Sequence, residues 1–356
     1  MYLNLSEIKE NSIILGDMHL GVKNFNQQFL TNQLSVFKEQ IFPYMKENKI
    51  NVIFQLGDIF DNRTTTNINF INQIRVNFFD KLVENNIIIY ILLGNHDIYF
   101  RESREVSLIE HIAELYPNNV ELVKDRKYMT FNNEKLYIVP WITKSEELNK
   151  NELKDIKYIL GHFEIKDFQM VKGIRDTNSI LNKDFFSNKI VFSGHYHLKD
   201  TKTNINYLGT PYQLTWSDFG EKKGFYHWKK DASIEFIENI TSTKHIKMFL
   251  DGTNLTIKGL TLVDKIIKVY NFNKILPLLE KHITRIYLVA GDEISIITNL
   301  ISNLDINISI IDNREDDDIF YDLNLNNYDP KELILESVKE HNTDALLLLL
   351  DILEEI

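Results

Sequence analysis

Along the first 240 positions, short β-favouring runs alternate with stretches whose apolar residues keep helical spacing. Ser12 to Leu15, Val52 to Leu56, Ile87 to Leu93, Leu136 to Val139, Tyr158 to Leu160 and Lys189 to Phe192 predict strands. Phe29, Leu30, Leu34, Phe37, Ile41 and Met45 recur at helical intervals, as do Ile71, Ile74, Phe78 and Leu82, and these predict core-facing stripes. Such alternation points to an α/β fold with helices layered on sheets. Tyr207 to Trp216 and Gly224 to Ile237 predict further strands, joined by turns near Gly209-Thr210-Pro211 and Asp218 to Lys223, that complete this layer, residues 1–240 in all.

From residue 241 the pattern changes. Ile246 to Leu250, Leu255 to Ile257, Ile267 to Tyr270, Ile286 to Val289 and Ile306 to Ile311 predict strands, with a helix from Glu293 to Leu304, so residues 241–311 make a small α+β domain. The polar stretch 312–329 is suited to an extended acidic linker. Residues 330–356 then predict helices, with Asp329 as N-cap before Pro330 and Thr343 capping a second one that ends near Glu355.

Almost every strand of the first part ends in a polar cluster opened by glycine: Gly16-Asp17-Met18-His19, Gly57-Asp58, Gly94-Asn95-His96-Asp97, Gly161-His162 and Gly194-His195-Tyr196-His197. In α/β sheets, ligands sit beyond the carboxyl ends of strands, where loops leave the sheet and side chains converge. Five such ends predict one site. By contrast His111, His227, His245, His282 and His341 lie outside any cluster and are expected on the surface or in packing.

Composition narrows the chemistry. The chain has 356 residues and no cysteine, so a metal would be held by Asp, Asn and His, and a reducing cytoplasm is the expected compartment. No apolar run reaches the roughly 18 residues of a membrane span, and no secretory signal opens the sequence. The net charge is -11, yet 14 of the 51 acidic and 3 of the 40 basic residues lie beyond residue 310. The acidity therefore belongs to the tail, and the formally neutral body can accept a phosphodiester once divalent cations are bound.

A two-metal phosphoester site needs mixed ligands, a bridging carboxylate and a water activated between the ions. Asp17 and His19 are two apart and so face one side of an extended segment, and His195 and His197 repeat that geometry. Asp58 is the bridging candidate, and Asn95 supplies a neutral amide oxygen. His96 follows a proposed ligand directly and points away from it, which suits an outer residue that stabilises transition-state charge or protonates the leaving oxygen. Asp97 either orients His96 or caps the following segment.

In identity and order the five clusters resemble the calcineurin-like metallophosphoesterase superfamily over residues 12 to about 215. Leu20-Gly21, Ile59-Phe60-Asp61 and the Asp at 97, where the superfamily's protein phosphatases carry Glu, are similar to the SbcD nuclease branch of the Mre-Rad recombination complex. Val139-Pro140-Trp141, Gly161-His162-Phe163-Glu164 and Tyr207-Leu208-Gly209-Thr210-Pro211 also resemble the compact recombination endonuclease subunit of tailed phages.

The resemblance implies a layered β-sandwich flanked by helices, with residues 241–311 as a capping domain that positions DNA. It implies two manganese ions, one held by Asp17, His19, Asp58 and His197 and the other by Asp58, Asn95, His162 and His195, with His96 catalytic. It further implies exonuclease and endonuclease action on duplex ends and single strands, in double-strand break repair, recombination and replication. An SbcC-type coiled-coil ATPase would be gripped through residues 330–356, in a bacterial or phage-infected cytoplasm. A homodimer would form through helices near the site, for which Ile71 to Leu82 is the counterpart. Asp61 departs from members that carry a histidine there, so a role in exonuclease polarity does not carry over. The rival readings are the same chemistry on a small phosphoester or nucleotide, and a DNA-end binder with a structural metal.

Overall fold

Parallel pairing of Ser12–Leu15, Val52–Gln55 and Ile88–Leu92 forms the centre of the first sheet. Every residue of the first two strands is buried, which explains continuous runs where a half-exposed strand would alternate. Val120–Val123 pairs beyond Ile88–Leu92, while Gly224–Trp228 and Ile234–Glu238 complete the other edge. This computed structural model describes residues 7, 8, 10–143, 148–260, 265–290, 308–312 and 319–322.

A second sheet runs in the order Glu7–Ile8, Lys127–Phe131, Glu134–Val139, Tyr158–His162, Ile190–Gly194, Ile205–Tyr207 and Asp200–Lys202. The two sheets share a core in which Phe54, Tyr90 and Leu92 from one meet Phe131, Ile138, Leu160 and Phe192 from the other around Trp228. Removing each such side chain from water contributes about 1.5–3 kcal/mol.

Both helical stripes face their own core. Phe29, Leu30, Leu34, Phe37, Ile41 and Met45 are buried, as are Ile74, Phe78 and Leu82. The stripe expected to offer a dimer surface is thus largely consumed within the chain; the exposed apolar residues of that stretch are Ile68, Val76 and Val83. Pro43 explains a local irregularity. Its ring would strike the carbonyl four residues back, and the helix widens into a π turn over Phe37–Ile41 just before it.

The turn expected near Gly209-Thr210-Pro211 is present: Ile205–Tyr207 stops before Gly209, which takes φ 69°, and Pro211 cannot donate to a ladder, but no strand follows it as far as Trp216. A second strand expectation also needs correction. Gly224 to Ile237 is a hairpin, because Asp231 Oδ1 accepts from Ser233 N at 2.9 Å and folds the chain back at Ala232.

The described residues divide into two units, Met1–Tyr212 with Lys222–Ser242, and Gln213–Glu221 with Thr243–Ile356. The second unit takes Gln213–Glu221 from the stretch read as catalytic layer, since Gln213 Oε1 accepts the His245 N–H at 2.7 Å and Trp216 packs on His245. Its sheet runs Lys265–Lys268, Asn254–Lys258, His245–Asp251, Ile283–Ala290, Ile308–Asp312 and Ile319–Asp322. The last strand falls inside the stretch read as linker. Ile319-Phe320-Tyr321 is a β-favouring run among acidic residues, and it pairs antiparallel with Ile308–Asp312. The helix expected at 293–304, the helical segment 330–356 and His341 lie outside the described residues. Among the described residues no helix is long and apolar enough to cross a membrane.

Candidate metal centre

All five clusters meet at the carboxyl ends of the parallel strands. Asp17, His19, Asp58, His162 and His195 are buried, Asn95, His96 and His197 half-buried. Donor atoms of Asp17, His19 and His197 lie within 4.8 Å of one another, and so do those of Asp58, His162 and His195. Asn95 joins the second group, its Oδ1 at 2.9 Å from His162 Nε2 and 3.1 Å from His195 Nδ1. Two donors bound about 2.1 Å from one ion at right angles stand ~3.0 Å apart, so these separations suit ligands of a shared cation. Asp58 Oδ2 lies between the groups, 3.7 Å from His19 Nε2 and 3.4 Å from His162 Nε2.

Two of the imidazoles, His162 and His19, are aimed by a partner on the far nitrogen. His162 Nδ1 donates to the Leu56 carbonyl at 2.7 Å, and because a carbonyl only accepts, Nε2 keeps its lone pair for the site. His19 Nδ1 donates to Asp61 Oδ1 at 3.1 Å. His19 Nε2 is buried without a hydrogen-bond partner, a state that costs about 1–3 kcal/mol unless something takes up the nitrogen. A divalent cation would do so. The Asp, Asn and His donor set also fits such a cation.

The backbone around these residues is held in costly conformations. His19, Asp58 and His195 take φ 43°, 54° and 90°, in the left-handed region that non-glycine residues avoid by about 1–2 kcal/mol each. Crossing contacts hold them there. The Asp58 carbonyl accepts both Met18 N and His19 N at 2.9 Å, and both Asp17 carboxylate oxygens accept His195 N, at 3.0 and 2.9 Å. Gln33 Nε2 donates to the Met18 and His19 carbonyls from the first helical stripe. Gly94 and Gly194 admit the carboxylates: a Cβ on Gly94 would overlap Asp58 Oδ1, and one on Gly194 would overlap Asp17 Oδ1.

Asp97 serves neither of its expected targets. Its carboxylate accepts Asp58 N at 2.7 Å, Gly94 N at 2.9 Å, Ile59 N at 3.0 Å and Phe60 N at 3.3 Å, so it orients the Asp58 loop and leaves the His96 ring alone. Burial pushes its carboxyl up to about 7, with the Asp58 charge adding to the effect and the backbone donors opposing it. His96 is oriented by backbone instead. Its Nδ1 donates to the Asp61 carbonyl at 2.6 Å, and its amide N–H donates to Asp58 Oδ1 at 2.9 Å.

Three further residues meet the site without having been singled out for it. Asp61 touches His19 through its side chain and His96 through its carbonyl. Glu164 Oε1 lies 3.3 Å from His195 Nε2, and the Trp141 ring packs beside His162 and His195 at centroid distances of 5.8 and 5.2 Å. The other described histidines are as expected: His111 is on the surface, while His227, His245 and His282 are buried in packing.

Asp61→Ala removes the carboxylate that aims His19 while its carbonyl still holds His96. Metal affinity should fall about 10–100-fold, the usual cost of losing such a partner. Manganese titration measures it, and an unchanged affinity would count against the role of Asp61.

Burial lowers the His19 and His162 imidazoles, but it is outweighed, by Asp61, Asp58 and Asp17 at His19 and by Asp58, Asp17 and the Leu56 carbonyl at His162; both stand at about 9. Below that pH a cation must displace their protons. Uptake at pH 7 should therefore release protons, with affinity rising as pH climbs towards about 9 and then levelling. The sign for the metal-free protein is opposite: stability from the charged imidazoles is complete below about 6.5 and lost as pH rises through about 9. Manganese calorimetry in buffers of different ionisation enthalpy counts the protons. A binding heat independent of buffer contradicts the prediction.

The calcineurin-like phosphoesterase family profile matches residues 12–241. Exonuclease subunit 1 of Enterobacteria phage T4 is 30% identical over 269 residues, covering 70% of this chain and 77% of that protein. DNA double-strand break repair protein Mre11 of Nanoarchaeum equitans (strain Kin4-M) is 23% identical over 270 residues, covering 67% of this chain and 71% of that protein.

Proposed function

This chain belongs to the calcineurin-like phosphoesterase family, a hydrolase family that binds divalent metals, and from there we propose that it is a two-metal DNA nuclease acting at DNA ends. The observation that carries the two-metal reading is the place of Asp58 Oδ2 between the His19 and His162 imidazoles. One ion would be held by Asp17, His19, Asp58 and His197, the other by Asp58, Asn95, His162 and His195. Manganese suits this mixture of imidazole, amide and carboxylate donors. When bound, the pair supplies Lewis-acid polarisation of the phosphate and an activated water.

The chain's own residues do the rest. Asp97 and Asp61 hold the loops that present Asp58, His19 and His96. His96 delivers a proton to the leaving oxygen. DNA as substrate is supported by two relatives whose names state an exonuclease subunit and double-strand break repair.

An SbcC-type coiled-coil ATPase is the proposed partner, taken up through residues 330–356, and repair, recombination and replication are the proposed setting. Linear duplex DNA incubated with manganese, with and without the cognate ATPase and ATP, tests the whole reading. End-dependent degradation stimulated by the ATPase is expected. Hydrolysis confined to small phosphoesters or nucleotides would replace the nuclease reading with the alternative one.

A further inference from the structure

Three and four residues beyond His96, the chain leaves two large aromatic side chains in solvent. Tyr99 is 46% exposed and Phe100 54%, their rings edge to face at 4.8 Å and 81°. The loop that carries them is anchored on every side. Asp97 holds its start with four backbone hydrogen bonds, and Ile98 is fully buried. Tyr99 N donates to the Val106 carbonyl at 2.9 Å, and Ser103 N closes a turn on the Phe100 carbonyl at 3.2 Å. Arg104 donates to the Trp141 carbonyl at 2.6 Å, and Ser107 caps the helix Leu108–Leu115 that follows.

Rings fixed by a rigid loop, yet left out of the core, have surrendered the burial an aromatic gains without retaining the freedom of a mobile tip. Arg101, also exposed, follows directly. Aromatic faces beside a cation are what unpaired nucleobases and their phosphates meet in single-strand binding sites. Reach agrees with that use. Three residues of chain span at most ~11 Å, so Tyr99 lies within about three nucleotides of a phosphate at His96, taking ~3.4 Å per nucleotide.

We propose that Tyr99 and Phe100 form a stacking platform for unpaired bases next to the scissile phosphate, which makes an opened or single-stranded DNA end the preferred substrate. The inference rests on the DNA reading above and specifies which form of DNA the site receives. Neither ring contributes a donor to the metal groups. Base stacking on aromatic side chains is sequence-tolerant, so the platform selects strandedness rather than sequence.

The test uses the full chain with manganese and a short single-stranded oligodeoxynucleotide carrying 2-aminopurine near its end. The Tyr99→Ala/Phe100→Ala double variant should raise KM for this oligonucleotide about tenfold or more with kcat little changed. It should also lose the 2-aminopurine fluorescence change that accompanies wild-type binding, while melting temperature and metal content stay as in wild type. A Tyr99→Phe/Phe100→Tyr variant, which keeps both rings, should retain the wild-type KM. An unaltered KM in the double alanine variant overturns the platform, as does a loss confined to kcat or to capture of a protein partner. A wild-type chain that cleaves bis(p-nitrophenyl) phosphate but no oligonucleotide removes the DNA reading itself, a result distinct from either.

Discussion

Asp58→Asn should abolish manganese-dependent phosphodiester hydrolysis, with a fall of about 10³-fold or more, and should do so without unfolding the protein. The magnitude follows from losing two cations at once, each worth several kcal/mol of transition-state stabilisation, at 1.36 kcal/mol per tenfold in rate. Asparagine keeps the shape of aspartate and can still accept the His96 N–H that Asp58 Oδ1 receives at 2.9 Å. What it removes is the charge of the oxygen lying between His19 and His162.

The same substitution removes both repulsions and attractions from the metal-free protein. Burial chiefly, and the charge of Asp58 in addition, push the Asp17 carboxyl upward, and the Asp58 charge also raises Asp97. Burial raises the Asp58 carboxyl itself, but His162, His96 and His19 outweigh it and hold it well below its ordinary value, so metal-free Asp58→Asn, which gives up these attractions, should melt somewhat below wild type near pH 7 while remaining folded. Manganese should raise the melting temperature of wild type, because a ligand that binds only the folded state stabilises it, and should leave the variant unmoved. Retained metal content with retained turnover would remove Asp58 from the bridge.

How much of this site could be seen in the sequence depends on whether the signal was local. The glycine that opens each cluster marks a place where a carboxylate packs against bare backbone, as Asp58 does at Gly94 and Asp17 at Gly194. That signal is carried by neighbouring residues and is legible. The work of Asp97 and Asp61 is not, because their partners lie 39 and 42 residues away, on loops brought together only when parallel strands pair. Asp61 carries part of such a signal, being a carboxylate three residues after Asp58, but nothing beside it in the chain marks His19 as its partner.

In the fold, buried central strands were legible because they are short, apolar and bounded by turns. The edge strand Val120–Val123 and the strand Lys127–Phe131, next to the edge of the other sheet, were not, since about half of their positions face partly outward and their polar residues interrupt the pattern. The hairpin at Asp231 escaped for a different reason. Its turn is built by a side chain on a backbone with no glycine or proline to announce it. Ile319–Asp322 was hidden by composition, as four consecutive acidic residues just before it set the character of the whole stretch.

His96→Ala should leave both metal groups loaded and lower kcat on DNA by about 10²–10⁴-fold, the range that a positioned acid or base supplies. Metal is retained because the contact between this residue and Asp58 is made by its main chain, and alanine keeps the amide N–H that Asp58 Oδ1 accepts. The ring itself is held by the Asp61 carbonyl, which can only accept, so Nδ1 carries a proton and Nε2 is the nitrogen that exchanges one. Burial holds the imidazole below its ordinary value in the metal-free protein, while Asp58 and Asp61 oppose that shift. A bound phosphodiester adds negative charge beside the ring and favours its protonated form. Proton delivery then predicts a wild-type rate on DNA that falls as pH rises through the pKa of the complex, and a variant profile that lacks this fall. It also predicts a dependence on the leaving group. A nitrophenolate departs without needing a proton, so His96→Ala should lose far less activity on bis(p-nitrophenyl) phosphate than on DNA. Equal losses on both substrates would mean that His96 stabilises charge on the phosphate instead, and loss of metal from the variant would place it among the ligands.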